Sequence, residues 1–249
     1  MNKYNYLIKI EYDGTNFVGW QFQKNGASIQ EKIEKAIKKI LKKKIKIIGA
    51  GRTDKGVHAF GQFANFKSEK KIENFRNFLN SINFFLQKSF VSIIFIKKKS
   101  FNFHARYSAK RRIYEYHIVN RIGSLSLLRN KAWHIKKNLD INILKKGAKI
   151  LMGKHDFSTF RASSCTSISP VKTIESIKIK KKNTNKIIIE FKSKSFLQNQ
   201  VRSMVGCLKY LSEYKWNMKR FKLVLKSKNR ALCAPPAPAH GLYLKNVIY

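Results

Sequence analysis

Two hydrophobic periods alternate along the first hundred residues, and this alternation constrains the fold more than any other feature of the sequence. In YNYLIKIEY every second residue from Tyr4 to Tyr12 is apolar or aromatic, which predicts a strand with one buried face. In SIQEKIEKAIKKILKKK the apolar residues recur every three or four positions, and Ser28 with Glu31 fits a capping box, so a helix is predicted. The segments that follow complete the β-α-β-β-α-β order of a ferredoxin-like fold.

The charge of the chain narrows the class of partner. With 53 Lys and Arg against 13 Asp and Glu among 249 residues, the formal net charge is +40. Such an excess favours a polyanionic partner, above all nucleic acid, because each neutralised phosphate releases a counterion. A compositional bias that enriches Lys, Asn and Ile throughout is the alternative explanation.

The cysteine spacing and the length of the apolar runs indicate in which compartment the protein works and whether it enters a membrane. The three cysteines are widely spaced and form no CxxC pair, so the spacing predicts neither a disulfide framework nor a zinc site. No apolar run is long enough for a membrane span, and the N-terminal stretch lacks the hydrophobic core of a signal peptide. We therefore expect a cytoplasmic protein that does not enter a membrane.

The stretch GAGRTDKGVHA carries the clearest chemical signal. It places Asp54, one of the few carboxylates, between Arg52 and Lys55 in a glycine-rich loop after a predicted strand. Flanking cations favour an ionised carboxylate, and an ionised, oriented carboxylate is a competent nucleophile or base. The GxxxxGK[ST] pattern of a phosphate-binding loop is missing. The structural alternative is an Asx turn closed by Asp54.

A second stretch, FNFHARYSAKRRIYEYHI, interleaves cations with aromatic residues. Cations for phosphates beside aromatic rings for bases are typical of proteins that hold flipped or single-stranded nucleotides. If RRIYEYHI is a strand, Tyr114 and Tyr116 share one face, and Glu115 and His117 share the other. For Tyr116 we favour an ordinary core position, whereas for Tyr114 a core role and a base-stacking role remain open.

A third stretch, FLQNQVRSMVGCLKY, predicts a helix with a buried apolar stripe. Arg202 lies beside this stripe, where an unpaired cation would cost free energy. Acidic residues are scarce, and Asp54 is one candidate partner for it. The alternative is an arginine that extends its guanidinium to solvent.

The second half of the chain again alternates strands and helices. We predict an α+β fold in which two ferredoxin-like α/β halves share a continuous, mostly antiparallel sheet with a central catalytic cleft. The first half, residues 1–105, would carry the Asp54 loop, and residues 106–249 would complete the cleft.

Taken together, these stretches closely resemble the TruA family of tRNA pseudouridine synthases. The GRTDxGVH pattern is highly specific, and the other motifs follow in the family's order from about residue 4 to the C-terminus. The quoted motifs are EYDGTNFVGWQ, GRTDKGVHA, FHARYSAKRRIYEY, DFSTF, FLQNQVRSMVGCL and GLYL. Two residues depart from the pattern: Gln200 stands where an apolar residue, typically Met, is expected, and Lys55 stands where a small residue is common.

The resemblance implies a function and a set of site residues. The reaction would convert uridine to pseudouridine at positions 38, 39 and 40 of the tRNA anticodon stem-loop, with no metal or organic cofactor. Asp54 matches the catalytic aspartate, and Arg202 matches the arginine that pairs with it. Arg52 matches the arginine linked to flipping of the nucleotide, and Tyr114 matches the tyrosine that stacks on the target uracil. The family acts as homodimers, with one tRNA contacting both subunits.

Two rival functions differ in their chemistry. An RNA-binding protein without catalysis would be expected to lose the Asp54, Tyr114 and Arg202 set, yet all three residues are present. A carboxylate-dependent nuclease usually needs two or more clustered acids around a metal, and no other aspartate is near Asp54 in the sequence. Activity that survives EDTA would exclude the nuclease.

Overall fold

The computed structural model describes residues 4–182 and 184–249, and these form two compact units. The first unit comprises Met1–Lys110 together with Leu244–Tyr249, and the second comprises Arg111–Tyr243. The boundary between the units thus lies after Lys110, and the C-terminal residues from Leu244 onward belong to the first unit. The division at residue 105 into a loop-bearing half and a completing half stays a prediction about function.

The first unit has the predicted β-α-β-β-α-β order. The elements are β1 (Tyr4–Tyr12), α1 (Ile29–Leu41), β2 (Ile47–Gly49), β3 (His58–Ser68), α2 (Phe75–Leu86) and β4 (Val91–Lys99). In the sheet, β1 lies between β4 and β3, β2 also pairs with β3, and all these pairings are antiparallel. The ferredoxin-like order predicted for this part of the chain is therefore confirmed.

Helix α1 shows why the sequence pattern was sufficient here. The Ser28 hydroxyl oxygen accepts a hydrogen bond from the Glu31 backbone N–H at 3.2 Å, so Ser28 is the N-cap. The apolar stripe of Ile29, Ile33 and Ile37 is fully buried. Capping and amphipathicity thus agree, and α1 packs with its apolar side inward.

The second unit repeats a β-α-β-β-α succession with additional short elements. The elements are β5 (Arg111–Asn120), β6 (Trp133–Ile135), α3 (Ile141–Leu151), β7 (Gly153–Asp156), β8 (Val171–Lys181), β9 (Lys186–Ser193), α4 (Gln200–Ser212) and α5 (Met218–Lys226). Strand β9 pairs antiparallel with both β5 and β8, β7 pairs antiparallel with β8, and β6 pairs parallel with β5. The last strand is β10 (Leu242–Ile248). Its first two residues belong to the second unit and the others belong to the first unit. The predicted mixed α+β class with mostly antiparallel strands is confirmed.

The helices in the described part of the chain are too short or too polar to cross a lipid bilayer.

Candidate active site

The loop that carries Asp54 connects β2 to β3 and is anchored where it leaves the sheet. The Ala50 N–H donates to the Phe63 carbonyl at 2.7 Å. The Gln62 side-chain amide donates to the Gly51 carbonyl at 2.8 Å, and Gln62 itself is fully buried. The start of the loop is therefore bonded to β3, which is also the strand that follows the loop in the sequence.

A second segment, residues 12–20 at the end of β1, fixes the middle of the loop. The Tyr12 hydroxyl lies 2.8 Å from the Thr53 hydroxyl, and the Trp20 N–H donates to the Thr53 carbonyl at 3.1 Å. Thr53 is only 7% exposed as a result. Thr53 is held inward, whereas its neighbour Arg52 is exposed and its neighbour Asp54 is half-buried.

The turn after Asp54 is closed by the main chain. The Val57 N–H donates to the Asp54 carbonyl oxygen at 3.2 Å, and Gly56 between them has a φ of +77°. This bond uses the backbone of Asp54, so the turn does not need the carboxylate to close it. A positive φ explains why glycine stands at position 56.

Segment 12–20 can approach the loop this closely because of its glycines. A Cβ on Gly14 would lie 2.0 Å from the Val57 carbonyl oxygen. A Cβ on Gly19, whose φ is +120°, would lie 2.8 Å from the Thr53 carbonyl oxygen. Backbone therefore packs directly on backbone at both ends of the Asp54 turn.

We expect Gly14→Ala to destabilise the protein by about 3 kcal/mol, since the new methyl group meets backbone atoms that cannot rotate away. Equilibrium unfolding in urea measures the loss. Gly123→Ala is the matched control, because, among residues 4–182 and 184–249 and apart from its two chain neighbours, no heavy atom lies within 4 Å of its added Cβ. Equal stability of the two variants would show that segment 12–20 can move away from the loop at little cost.

His58 follows the loop and is a structural residue. It is 1% exposed, and its Nδ1 lies 3.1 Å from the Gly14 nitrogen and 3.0 Å from Asp13 Oδ1. Unprotonated, Nδ1 accepts from the Gly14 N–H, and protonated, it donates to the carboxylate of Asp13. Either bond ties the start of β3 to the same segment that holds Thr53.

Arg202 lies in the first turn of α4, in the second unit. Its Nε donates to the Ala237 carbonyl at 2.7 Å, and its Nη1 donates to Asn199 Oδ1 at 2.9 Å. The Ala237 N–H donates back to the Arg202 carbonyl at 3.0 Å. Arg202 is half-buried, and these bonds fix the orientation of its guanidinium.

Gln200, which departs from the family pattern, is fully buried at the start of α4. Its Oε1 accepts from the Leu197 N–H at 2.8 Å, so the side chain caps the turn that precedes the helix. Within residues 4–182 and 184–249 its Nε2 has no hydrogen-bond partner. Gln200 therefore makes a hydrogen bond to the local backbone, close in sequence to Arg202, at a position where an apolar side chain is expected.

The two tyrosines of β5 share one face, as predicted, but differ in their surroundings. Tyr116 is fully buried and its hydroxyl donates to the Pro238 carbonyl at 2.7 Å. Burial raises the pKa of Tyr116 well above its ordinary value, and the positive charge of Arg202 opposes that rise. Tyr114 is 8% exposed and packs edge-on against Phe196, with ring centroids 5.3 Å apart. The core position expected for Tyr116 is therefore confirmed.

The four predicted site residues fall in pairs. Arg52 and Asp54 lie in the first unit, and Tyr114 and Arg202 lie in the second. The roles expected for these residues, and the pairing of Asp54 with Arg202, stay predictions.

Sequence reasoning missed the residues that hold the site. Tyr12, Trp20 and Gln62 position the Asp54 loop, and Ala237 positions the Arg202 guanidinium. The one available signal was the stretch EYDGTNFVGWQ, whose glycines now have a reason in the close backbone approach. The Ala237 contact uses a main-chain carbonyl, which leaves no trace in the side-chain pattern.

A glycine-rich loop that is bonded on both sides and presents a carboxylate beside an exposed arginine suits an enzyme of nucleophilic or acid–base chemistry. Comparison with known proteins identifies the family. The sequence profile of the family described as "tRNA pseudouridine synthase" matches residues 8–108 and 148–249. This chain belongs to that family, which is a family of isomerases.

Similar proteins extend over nearly the whole chain. A tRNA pseudouridine synthase A of Pelagibacter ubique is 56% identical over 246 residues, which cover 99% of this chain and 100% of that protein. The tRNA pseudouridine synthase A of Parvibaculum lavamentivorans is 42% identical and covers 98% of each chain. The tRNA pseudouridine synthase A of Thermoanaerobacter sp. is 44% identical, with 98% of this chain and 99% of that protein covered. The sequence-based identification of the family is confirmed.

Proposed function

We propose that this protein isomerises uridine to pseudouridine in tRNA, at positions 38, 39 and/or 40 of the anticodon stem-loop. Family membership and the near full-length similarity support the reaction, and the GRTDKGVH resemblance supports the positions. The observation that carries the proposal is the Asp54 loop. The carbonyl oxygens of Thr53 and Gly51 accept hydrogen bonds that hold its backbone, while Asp54 remains partly exposed. The net charge of +40 fits a polyanionic substrate.

The proposed reaction begins with base flipping, because a stacked uridine is inaccessible to a side chain. Extruding the nucleotide costs a few kcal/mol. Asp54 then attacks the base or the sugar, or removes a proton, and the bond between N1 and C1′ breaks. The uracil rotates while held, and C5 bonds to C1′. A bond that Asp54 has formed to the sugar or the base breaks before the product leaves, and a proton that it has taken is given up, so the carboxylate is restored. The hydrogen of C5 leaves to solvent and N1 gains one. No group is added and no electron is transferred overall, so the proposal includes no cofactor or metal.

The other three residues would assist this step. We propose that the exposed Arg52 replaces lost stacking or holds a phosphate of the flipped nucleotide, and that Tyr114 stacks on the uracil. Arg202 would pair with Asp54 and keep it ionised and aimed. The resemblance implies a central catalytic cleft that these four residues share, and we propose this cleft as part of the function.

A homodimer in the cytoplasm is the proposed working form. The resemblance supports a dimer in which one tRNA contacts both subunits. Light scattering of the protein alone and with a tRNA transcript tests this. A single protomer per tRNA would contradict it.

The role of Tyr114 gives a sharp prediction. If its ring stacks on the uracil, Tyr114→Phe should retain activity within a fewfold, while Tyr114→Ala should lose roughly ten- to a hundredfold, because stacking on an aromatic ring contributes about 1–3 kcal/mol per base. Single-turnover rates on a tRNA transcript measure both.

Phe196→Ala is the matched control for packing, since Phe196 contacts Tyr114 edge-on. A similar loss in Phe196→Ala, or a large loss in Tyr114→Phe, would contradict stacking as the main role of the ring.

Tritium release tests the proposed function. A tRNA transcript labelled at C5 of its uridines loses tritium to water when C5 bonds to C1′. We expect release by the purified protein in the presence of EDTA, with the RNA chain intact. Tight tRNA binding without release would indicate an RNA-binding protein, and cleavage abolished by EDTA would indicate a metal-dependent nuclease.

A further inference from the structure

Two cysteines that are widely separated in the sequence meet in the second unit. Cys207 lies on α4, Cys233 lies just before the proline-rich segment 234–240, and their sulfur atoms are 3.4 Å apart. Both are free thiols, as is Cys165. A disulfide bond is about 2 Å long, so a modest approach of the two side chains would bring the sulfurs into bonding range.

The backbone around the pair holds the two sulfurs together. A Cβ on Gly206 would lie 2.1 Å from the Pro235 carbonyl oxygen, so segment 234–240 packs directly on the backbone of α4. Further along, Ala237 exchanges two hydrogen bonds with Arg202, at 3.0 and 2.7 Å. The contact between the sulfurs is therefore built into the packing of this segment on the helix.

The two thiols differ in access and in charge environment. Cys207 is fully buried, whereas Cys233 is partly exposed. The hydrogen bond from Cys207 lowers the pKa of Cys233 below its ordinary value, and the nearby charge of Arg230 acts in the same direction against burial. The same hydrogen bond, together with burial, raises the pKa of Cys207. Arg230 is oriented by bonds to the Ser203 hydroxyl and the Thr159 carbonyl, at 3.3 and 3.4 Å.

We propose that Cys233 and Cys207 form a reversible oxidation site, at which Cys233 attacks a hydroperoxide first and Cys207 then closes the disulfide. In the first step the Cys233 thiolate takes an oxygen atom from the peroxide and becomes a sulfenic acid, and the peroxide is reduced to water or an alcohol. In the second step the Cys207 sulfur bonds to the Cys233 sulfur. The sulfenic hydroxyl leaves with the proton of Cys207 as water.

A metal site is the other chemistry that paired cysteines support. Among residues 4–182 and 184–249, no group of three or more Cys, His, Asp and Glu side chains is placed to hold an ion. The two neighbouring sulfurs differ in acidity, and one of them is accessible. This arrangement suits a pair in which one cysteine reacts with the peroxide and the other then forms the disulfide.

The disulfide would have a structural consequence near the proposed active site. It would tie the start of segment 234–240 covalently to α4, and Ala237 of this segment accepts the Arg202 Nε–H. In the reduced protein, packing and hydrogen bonds hold segment 234–240 against α4. Oxidation would add a covalent bond to this contact.

Peroxide titration of the full-length protein tests the proposal. After treatment with a small excess of hydrogen peroxide, intact-mass spectrometry should show the loss of two hydrogen atoms, and peptide mapping should join Cys207 to Cys233. Dithiothreitol should restore the starting mass. No loss of mass, or a bond that involves Cys165, would overturn the proposal.

Three variants separate the roles of the sulfurs. Cys165→Ser should oxidise like the wild type. Cys207→Ser should leave a sulfenic acid on Cys233 that dimedone traps, whereas Cys233→Ser should trap little or none on Cys207. Trapping mainly on Cys207 would overturn the assigned order. Circular dichroism confirms folding, and the peptide map of the wild type decides the pairing if a variant fails to fold.

Discussion

Asp54→Asn should lower the rate of pseudouridine formation by at least about a thousandfold, because an amide can neither act as the nucleophile nor accept the proton. The asparagine side chain has nearly the same shape, and the loop is held by Tyr12, Trp20 and Gln62. The fold and the binding of tRNA should therefore change little. Single-turnover kinetics with saturating enzyme measures the chemical step, and filter binding measures the affinity.

Asp140→Asn is the matched control for this substitution. Asp140 is the N-cap of α3 and accepts from the backbone N–H groups of Asn142 and Ile143. Asparagine caps helices about as well as aspartate, so this variant should keep wild-type activity. Its stability should fall only slightly, through weakening of the exposed hydrogen bond that Asp140 accepts from the Tyr214 hydroxyl. Activity of Asp54→Asn within tenfold of the wild type would contradict a direct role of the carboxylate in the reaction.

Arg202→Met should reduce the rate roughly a hundredfold, since it removes the cation proposed to keep Asp54 ionised and oriented. A carboxylate that loses a paired cation stays protonated to a higher pH than before, even where other cations remain nearby. The residual activity of the variant should therefore rise as the pH is raised over a range where the wild-type rate is flat. Single-turnover rates across pH give both the loss and the slope.

Arg230→Met separates this effect from a general loss of packing. Arg230 donates to the hydroxyl of Ser203, which lies on the same helix as Arg202, and to the Thr159 carbonyl. Its loss should lower stability with little effect on the pH profile. A pH profile of Arg202→Met that is parallel to that of the wild type would contradict the proposed pairing with Asp54.

Elements with a strong local period could be predicted from the sequence, whereas the short strand β7 could not. Helix α1 has both an N-cap at Ser28 and a buried isoleucine stripe, so local and tertiary signals agree. Strand β7 has only the four residues GKHD and depends on its pairing with β8. The predicted start of the α4 helix was also too early, because Asn199 adopts a left-handed conformation with a φ of +62° before the helix begins at Gln200.

The chemistry of the site could be read from side chains, but its support could not. A scarce carboxylate among glycines and cations marks Asp54. The bonds that hold the loop join residues far apart in the sequence, as with Tyr12 and Thr53, or use main-chain carbonyls, as with Trp20 and Thr53. The contact between Cys207 and Cys233 likewise arises from the packing of residues 234–240 on α4, which the spacing of the cysteines does not predict.

The most direct test of the central claim maps pseudouridine at single-nucleotide resolution. Unmodified tRNA transcripts with uridine at position 38, 39 or 40 are incubated with wild type or Asp54→Asn in EDTA, then treated with carbodiimide and read by primer extension. We predict stops at one or more of these positions with the wild type and none with the variant. Equal stops with both proteins, or no stops with a wild type that binds the tRNA, would contradict Asp54-dependent pseudouridine formation.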